Sequence, residues 1–564
     1  MNIKISFLIF LSLLCIKPSW SGAQSVSLNT PILEDYLRRQ QLLGNLDSTH
    51  SFLIRPIYPA KAFGKENGID VDGSFTDIDE SETSFITEDG KGRFQALPVI
   101  IRTQYNSNVA FGVNNGAMIA NKGLQFILSG GIYFEYGKWS LQFQPEIITA
   151  QNNDFQGFPI EHDGSTWIEY YEWLNHSDIP ERFGTGSYTK LLSGQSSIRF
   201  NAGNVSMGIS TENIWWGPGR RNALIMSNNA PGFLHATINT QKPIKTGIGS
   251  FEGQLIAGRL QNSGFKPPHS DYAYRQTPLY VPKRDKDWRY LAGLILAYQP
   301  KWVPGFSIGY SSVSQMYHND MRSFADYLPV FNGGKKRESI LNTDVAKRNQ
   351  LSSGFFRWMD PRGHLEFYAE YGSNGNSRTI SDFLTNPDLT RAFTLGFTNL
   401  ISLKNPQQFI QLGGEITQTG QTVRETIFDK NSWYTHSHVR HGYTHMGQVL
   451  GAGNGPGSNV IFLEAGWVKD FNKIGFQIER IVYNNDFYYK RFEDIKDWRV
   501  KFVDIVPSLV ADWRFKNFLV SSRIQYAHSF NYKWYIINIP DQYWVPGFDK
   551  NNLVANVGFA YVFE

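Results

Sequence analysis

Two stretches concentrate side chains suited to a common ligand or reaction. The first is Glu212–Thr240, ENIWWGPGRRNALIMSNNAPGFLHATINT. Trp215 and Trp216 lead into a Gly-Pro-Gly turn, then Arg220 and Arg221, then Asn228 and Asn229. Trp offers a flat apolar face with a polar edge. Arg takes carboxylate or phosphate with two parallel hydrogen bonds. Asn both donates to and accepts from hydroxyls. This set suits an acidic sugar polymer. A second reading stands beside it: the tryptophans form an interfacial girdle, and the turn bends the chain into a barrel. The other stretch runs from Trp433 to Asn459 and holds His436, His438, His441 and His445, then Tyr443, Gln448 and the glycine-rich run Gly451–Gly457. Its histidines match no zinc spacing, so hydrogen bonding to a ligand or to backbone is preferred over a metal. The glycines allow backbone amides to approach an anion, or simply make a tight loop.

Enzyme signatures are missing. The chain has no GxSxG, P-loop or HExxH, and no dinucleotide fingerprint after a strand. Glu366, Glu370 and Glu415 fall within strand patterns, and the even spacing of Glu366 and Glu370 puts them on one face, expected to be the inner one. Glycoside hydrolysis needs only two acids, so a hydrolase stays as the weakest alternative. Asp70, Asp72, Asp77 and Asp79 lack the EF-hand spacing and read as a solvated loop. No cofactor and no metal are expected.

Strands must hold these residues in place. From about Phe94 the period is two: Trp139, Leu141 and Phe143 alternate with Ser140, Gln142 and Gln144. Hairpin signals recur at 289–314, 355–371, 393–419, 460–482 and 505–527, each around a short Pro, Gly, Asn or Lys turn. The connections between them (261–288, 315–350, 372–391, 420–459, 484–504, 528–551) are long and rich in Tyr, Asn, Asp and Arg. Short turns alternating with long loops, closed by an apolar C-terminal strand, predict an all-β transmembrane antiparallel barrel of about eighteen strands. The alternation slips once, upstream of Phe251. A helix is expected over 29–46, with Asn29 or Thr30 as cap, Pro31 in the first turn and Gly44 at its end.

Composition agrees. Aromatics are 15% and charged residues 18%, with 51 glycines in 564 residues against a usual charged share of about 25%. Mean hydropathy is −0.34, which excludes a bundle of membrane helices. Lys4, the apolar run Ile5–Ile16 and Ser21-Gly22-Ala23 read as a cleaved secretory signal, residues 1–23. Cys15, the only cysteine, leaves with it, so no disulfide or thiolate site remains. A formal charge of +4 makes no case for nucleic acid. The expected plan is signal 1–23, a periplasmic helix and loop segment 24–93, and the barrel 94–564.

The segments WWGPG…LIMSNNAPGF (215–233), FFRWMDPRGHLEFYAEYG (355–372) and HGYTHMGQVLGAGNGPGSN (441–459) resemble the Wzi-type capsule assembly family of Gram-negative bacteria, in particular its longer, Bacteroidetes-like members. The resemblance runs from about Phe94 to the end. It implies an outer-membrane β-barrel lectin with a small periplasmic helical part, which holds capsular or exopolysaccharide at the cell surface without catalysis. A porin or sugar channel of the same architecture is the runner-up. The residues expected to bind polysaccharide are Trp215, Trp216, Arg220, Arg221, Asn228 and Asn229, with Tyr443, His445 and Gln448 as a second group. Expected partners are the polysaccharide, outer-membrane lipid and the polysaccharide export machinery, with one chain as the unit.

Overall fold

A computed structural model describes residues 25–58, 85–89, 91–327, 347–375, 390–421, 432–492, 500–536 and 548–563. The signal at 1–23 and the Asp70–Asp79 loop lie outside them. Eighteen antiparallel staves close into one barrel. In chain order they are Gly92–Phe111, Asn121–Tyr136, Trp139–Phe143 with Glu146–Ala150, Tyr188–Leu192 with Ser197–Ala202, Val205–Ser210, His235–Thr240, Gly249–Leu260, Arg289–Pro300, Phe306–Tyr317, Asn349–Asp360, Leu365–Asn374, Arg391–Ser402, Phe409–Gln418, Asn459–Lys469, Asn472–Val482, Val503–Phe515, Phe518–Phe530 and Lys550–Tyr561. The last pairs back onto the first, from Val554 opposite Asn106 to Tyr561 opposite Val99. Closure leaves no open edge in lipid, where unpaired backbone groups would be costly.

The period-two pattern is inverted relative to a soluble sheet. Trp139, Leu141 and Phe143 are exposed, whereas Ser140, Gln142 and Gln144 are buried. The outer face is apolar because its solvent is hydrocarbon, and the short-turn end carries exposed Trp139, Trp302, Trp358, Phe515 and Phe518. The apparent slip upstream of Phe251 resolves without breaking the alternation. Val205–Ser210 and His235–Thr240 are short staves paired with each other from His235↔Ser210 to Thr240↔Val205. The chain between them, 211–234, turns into the barrel instead of crossing the membrane again.

Helix α1 spans Leu33–Leu42, shorter than expected. Neither Asn29 nor Thr30 caps it: Ile32 holds the cap position with φ 57° and no side-chain bond. Asn29 is used elsewhere, donating to Glu146 Oε1 at 3.0 Å and accepting from Asn228 at 2.9 Å. Gly44, at φ 78°, does end the helix. It is not a surface helix. Tyr36 stacks on Phe471 with ring centroids 3.6 Å apart, and Leu42 packs with Met359, Leu400, Phe409 and Val468, so α1 lies against the inner wall at the short-turn end. Helices α2 (Gly164–Leu174) and α3 (Asn485–Phe492) pack together in the layer of long loops.

Candidate functional site: a filled lumen and a loop-lined aromatic cavity

Three segments distant in sequence meet inside the barrel: 25–58, 211–234 and 432–458. Ile54-Arg55 pairs with Trp216-Trp215 as a two-residue ladder. Trp216 N–H donates to Met226 O at 3.0 Å, Ser227 N–H to Leu450 O at 2.8 Å, and Tyr434 OH to Leu224 O at 2.9 Å. Between them lies an apolar core with Leu53, Trp216, Leu224, Ile225, Trp433 and Tyr434 on the inserted side. The wall answers with Ile256, Leu291, Ile295, Val313, Leu351 and Phe355. A sheet that encloses water would have polar residues at those inward positions.

The three strand carboxylates do face inward, and each is committed to this plug. Glu366 binds Arg38 Nη2 and Arg357 Nε, each at 2.5 Å. Glu370 accepts from Ser353 Oγ at 2.7 Å and Leu224 N–H at 3.1 Å. Glu415 accepts the backbone N–H groups of Arg220, Arg221 and Asn222 at 2.8, 2.9 and 2.7 Å, and Tyr368 OH at 2.8 Å. The Gly-Pro-Gly-Arg-Arg turn is thereby seated on a wall carboxylate. Gly219 is required there, because a Cβ would stand 1.8 Å from Asn222 O.

The expected binding residues divide. Trp216 is fully buried, its indole N–H donating to Gln254 at 2.8 Å, and Tyr443 is in the same core with its OH 3.5 Å from Met226 Sδ. Neither tryptophan is a membrane girdle. Arg220 pairs with Asp35 and donates to Thr398 at 2.9 Å, while Arg221 pairs with Glu479. Trp215, Arg220, Arg221 and Asn228 border a lumenal cavity of about 370 Å³. Asn229 and Gln448 border a second cavity, of about 250 Å³, among the long loops. His445 is buried, its Nδ1 accepting the Gln261 N–H at 3.1 Å.

The second cavity has the composition of a sugar site. Phe155, Tyr170, Trp173, Tyr483, Tyr532 and Trp534 line it, beside Asn229, Gln448, Asn454 and Asn484. Several of its polar atoms are buried and unpaired: both amide atoms of Asn454, Nδ2 of Asn484, and the indole N–H groups of Trp173 and Trp534. Asn454 is only 6% exposed. A buried amide without partners costs about 1–3 kcal/mol, so such a cluster asks for a ligand that supplies hydroxyls. Sequence reasoning marked 451–457 as a tight glycine loop but missed Trp173, Asn484 and Trp534. They come from separate loops, and no local pattern joins them.

The four histidines go to four different partners. His436 Nδ1 accepts from the His438 and Val439 N–H groups, His438 Nε2 is 2.9 Å from Asp320, and His441 Nδ1 is 2.8 Å from Tyr317 OH. Burial pushes His436 and, on another loop, His162 down to about 4, and lowers His441 and His445 as well. A depressed imidazole contributes stability that is present above about 6.5 and lost as pH falls through the folded value. Asp486 in α3 runs the other way: burial raises it to about 6, so its contribution fades as pH rises. The histidines outnumber it. Tryptophan fluorescence of the purified barrel is expected to show the loop layer melting earlier at pH 4.5 than at pH 7.5. Equal midpoints would mean these imidazoles are not buried neutral.

A sequence model of the family described as "Capsule assembly protein Wzi" matches residues 109–531. Among solved structures the chain is similar to Escherichia coli Wzi, described as an outer membrane protein involved in group 1 capsule assembly and a carbohydrate-binding β-barrel. The identity is 13% and the TM-score 0.56, over 96% of this chain and 99% of that one. It is also similar to Acinetobacter baumannii OccAB2, with 9% identity and TM-score 0.39 over 83% of this chain and 98% of that one. Comparison with curated proteins gives no match.

Proposed function

The chain belongs to the capsule assembly protein Wzi family, and on that basis we propose that it is a non-catalytic outer-membrane lectin that binds capsular or exopolysaccharide and holds it at the cell surface. The observation that carries the reading is the loop-end cavity, where aromatic faces surround the unpaired amides of Asn454 and Asn484. Aromatic planes take the apolar faces of sugar rings, and the amides take hydroxyls. Each contact is weak, and a polymer that engages many barrels gains by avidity. Of the residues the sequence pointed to, Asn229 and Gln448 belong to this site. Trp216 and Tyr443 are part of the apolar core of the lumen, and Trp215, Arg220, Arg221 and Asn228 border the separate lumenal cavity.

The non-catalytic part of the reading is supported by the engagement of Glu366, Glu370 and Glu415, whose oxygens hold the plug. A single barrel is the proposed unit, since closure leaves no strand edge for a partner, and the polysaccharide export machinery is its proposed supplier. In the same reading residues 1–23 are a cleaved signal, 24–93 the helix and loop segment on the periplasmic side, and 94–564 the barrel.

The test is a clean deletion strain, in which attached, shed and total polysaccharide are measured together. Unchanged total with polymer moved into the medium is the expected result; normal attachment would end the lectin reading. The channel alternative makes an opposite prediction in planar bilayers. With the lumen crossed by an apolar core, the wild-type protein is expected to pass far less current than an open barrel of eighteen strands. Steady porin-sized conductance would favour transport instead.

A further inference from the structure

The lumenal cavity bordered by Trp215 is lined by six arginines and only two carboxylates, Glu34 and Asp35. Four of the six are already neutralised. Arg38 pairs with Glu366, Arg55 with Glu34, Arg220 with Asp35 and Arg221 with Glu479. The other two have no carboxylate within ion-pair distance among the described residues; Glu146 acts on Arg102 only from further off, and Glu479, Asp512 and Glu464 on Arg523. Arg102 donates to Asn29 Oδ1 at 2.5 Å and to Asn115 O at 3.2 Å, both neutral acceptors. Arg523 makes no contact ion pair or hydrogen bond among the described residues, and of the carboxylates that act on it from further off Glu479 is held by Arg221 and Glu464 by Lys473.

Register brings these two together. Arg523 stands opposite Asn556, and Asn556 stands opposite Gln104. Arg102 is two residues from Gln104, hence on the same face, and stands opposite Gly558. With staves about 4.8 Å apart, two guanidinium groups separated by one stave can reach a common point. The stave between them carries Asn556 beside Arg523, where it donates to Gln525 Oε1 at 3.1 Å, and Gly558 beside Arg102, where the Pro31 ring of the plug packs in place of a side chain. A third donor is at hand: Trp215, 6% exposed, lines the same cavity with its indole N–H unpaired.

Unpaired guanidinium in a confined lumen is costly, because little water is available to solvate it. Two such groups beside an orphaned N–H make this side of the cavity rich in donors, since the lining carboxylates Glu34 and Asp35 are taken by Arg55 and Arg220. We infer that this cavity is an oxyanion site, in which Arg523 and Arg102 bind a carboxylate or phosphate group with the Trp215 N–H as a further donor. The role assigned to Arg220 and Arg221 from sequence thus passes to two arginines that no motif marked. The inference rests on the polysaccharide reading only for its source: the group is a carboxylate of an acidic polymer or a small free phosphate.

The test uses the full-length barrel in detergent and low-chloride buffer, titrated with sodium glucuronate, inorganic phosphate and glucose. Saturable binding of at least one anion and none of glucose at this site is expected. Arg523→Gln is expected to weaken the anion about tenfold or more, as loss of a charge-assisted hydrogen-bond pair implies, and Arg523→Lys to recover part of it. Heat-modifiable mobility on gels verifies that each variant is folded, and Arg102→Gln provides an independent second removal. Glucuronate binding that depends on Arg523 identifies an acidic sugar; phosphate binding alone identifies a small anion; either supports the site. No anion binding, or equal binding by wild type, R523Q and R102Q, overturns it. Polysaccharide retention by cells is scored separately, so a barrel that holds polymer but binds neither anion defeats this inference and leaves the lectin reading intact.

Discussion

Glu366→Ala is expected to undock the N-terminal plug and open the lumen. Glu366 is fully buried and holds two guanidinium groups at once, Arg38 from α1 and Arg357 from the wall. Arg357 in turn donates to Gln41 Oε1 at 2.8 Å and Ser51 O at 2.9 Å, so one carboxylate organises contacts along 38–51. Removing it leaves Arg357 without a paired carboxylate and Arg38 with only Glu34, 3.9 Å away, and breaking a buried pair in this way costs about 3–5 kcal/mol. The staves keep their ladders, so the barrel itself survives. The expected readouts are protease cleavage within 25–58 and a rise in single-channel conductance over the wild type. Combining Arg38→Met, Arg357→Met and Glu366→Leu in one chain should restore much of the docking, because apolar replacements of an ion cluster remove the desolvation cost with the attraction. Unchanged proteolysis and conductance in E366A would show that the plug is held by its apolar contacts alone.

Asn454→Ala is expected to separate stability from binding, with opposite signs. Asn454 is on the loop between Phe409–Gln418 and Asn459–Lys469, and both of its amide atoms lack partners inside the aromatic cavity. In the empty protein this amide is a cost of about 1–3 kcal/mol, so alanine should hold or raise the thermal midpoint. With polymer bound the same amide would make one or two hydrogen bonds of about 1 kcal/mol each, so affinity should fall roughly tenfold. Cells carrying N454A should shed polymer while keeping normal barrel levels. Trp173→Ala, which removes a stacking face, should shed it too, with some loss of loop stability because Trp173 packs beside Tyr170 at a centroid distance of 5.7 Å. If N454A lowers the midpoint and leaves retention intact, the amide is structural and the cavity is not the sugar site.

The barrel was legible because its causes are local and repeated. The 139–144 alternation, the turns at 360–363 and 516–517, and the apolar last strand each follow from lipid on one side, the lumen on the other and the geometry of a hairpin. The same reasoning placed Glu366 and Glu370 inward, and the structure adds Glu415 to them. The helix was found, though its cap was misjudged: Asn29 had better partners in Glu146 and Asn228, more than a hundred residues away in sequence. The WWGPGRRN stretch could not be settled locally. A lipid-facing girdle, a sugar platform and a plug strand all want flat aromatics beside a tight turn. The choice was made by Ile54-Arg55 pairing with it and by Glu415 accepting its three N–H groups.

The closed antiparallel wall, the long-loop face and the inward polar side are therefore properties of the sequence alone, since each is written in spacings of two residues and in turn chemistry. The three-dimensional packing was needed to establish that the lumen is filled, that Trp216 and Tyr443 are core, and that Trp173, Asn454, Asn484 and Trp534 share one cavity while Arg102 and Arg523 share another. Those contacts join staves and loops far apart in the chain, and the energy that selects them, burial of apolar surface and pairing of charge, depends on distance in space and leaves no periodic trace along the sequence.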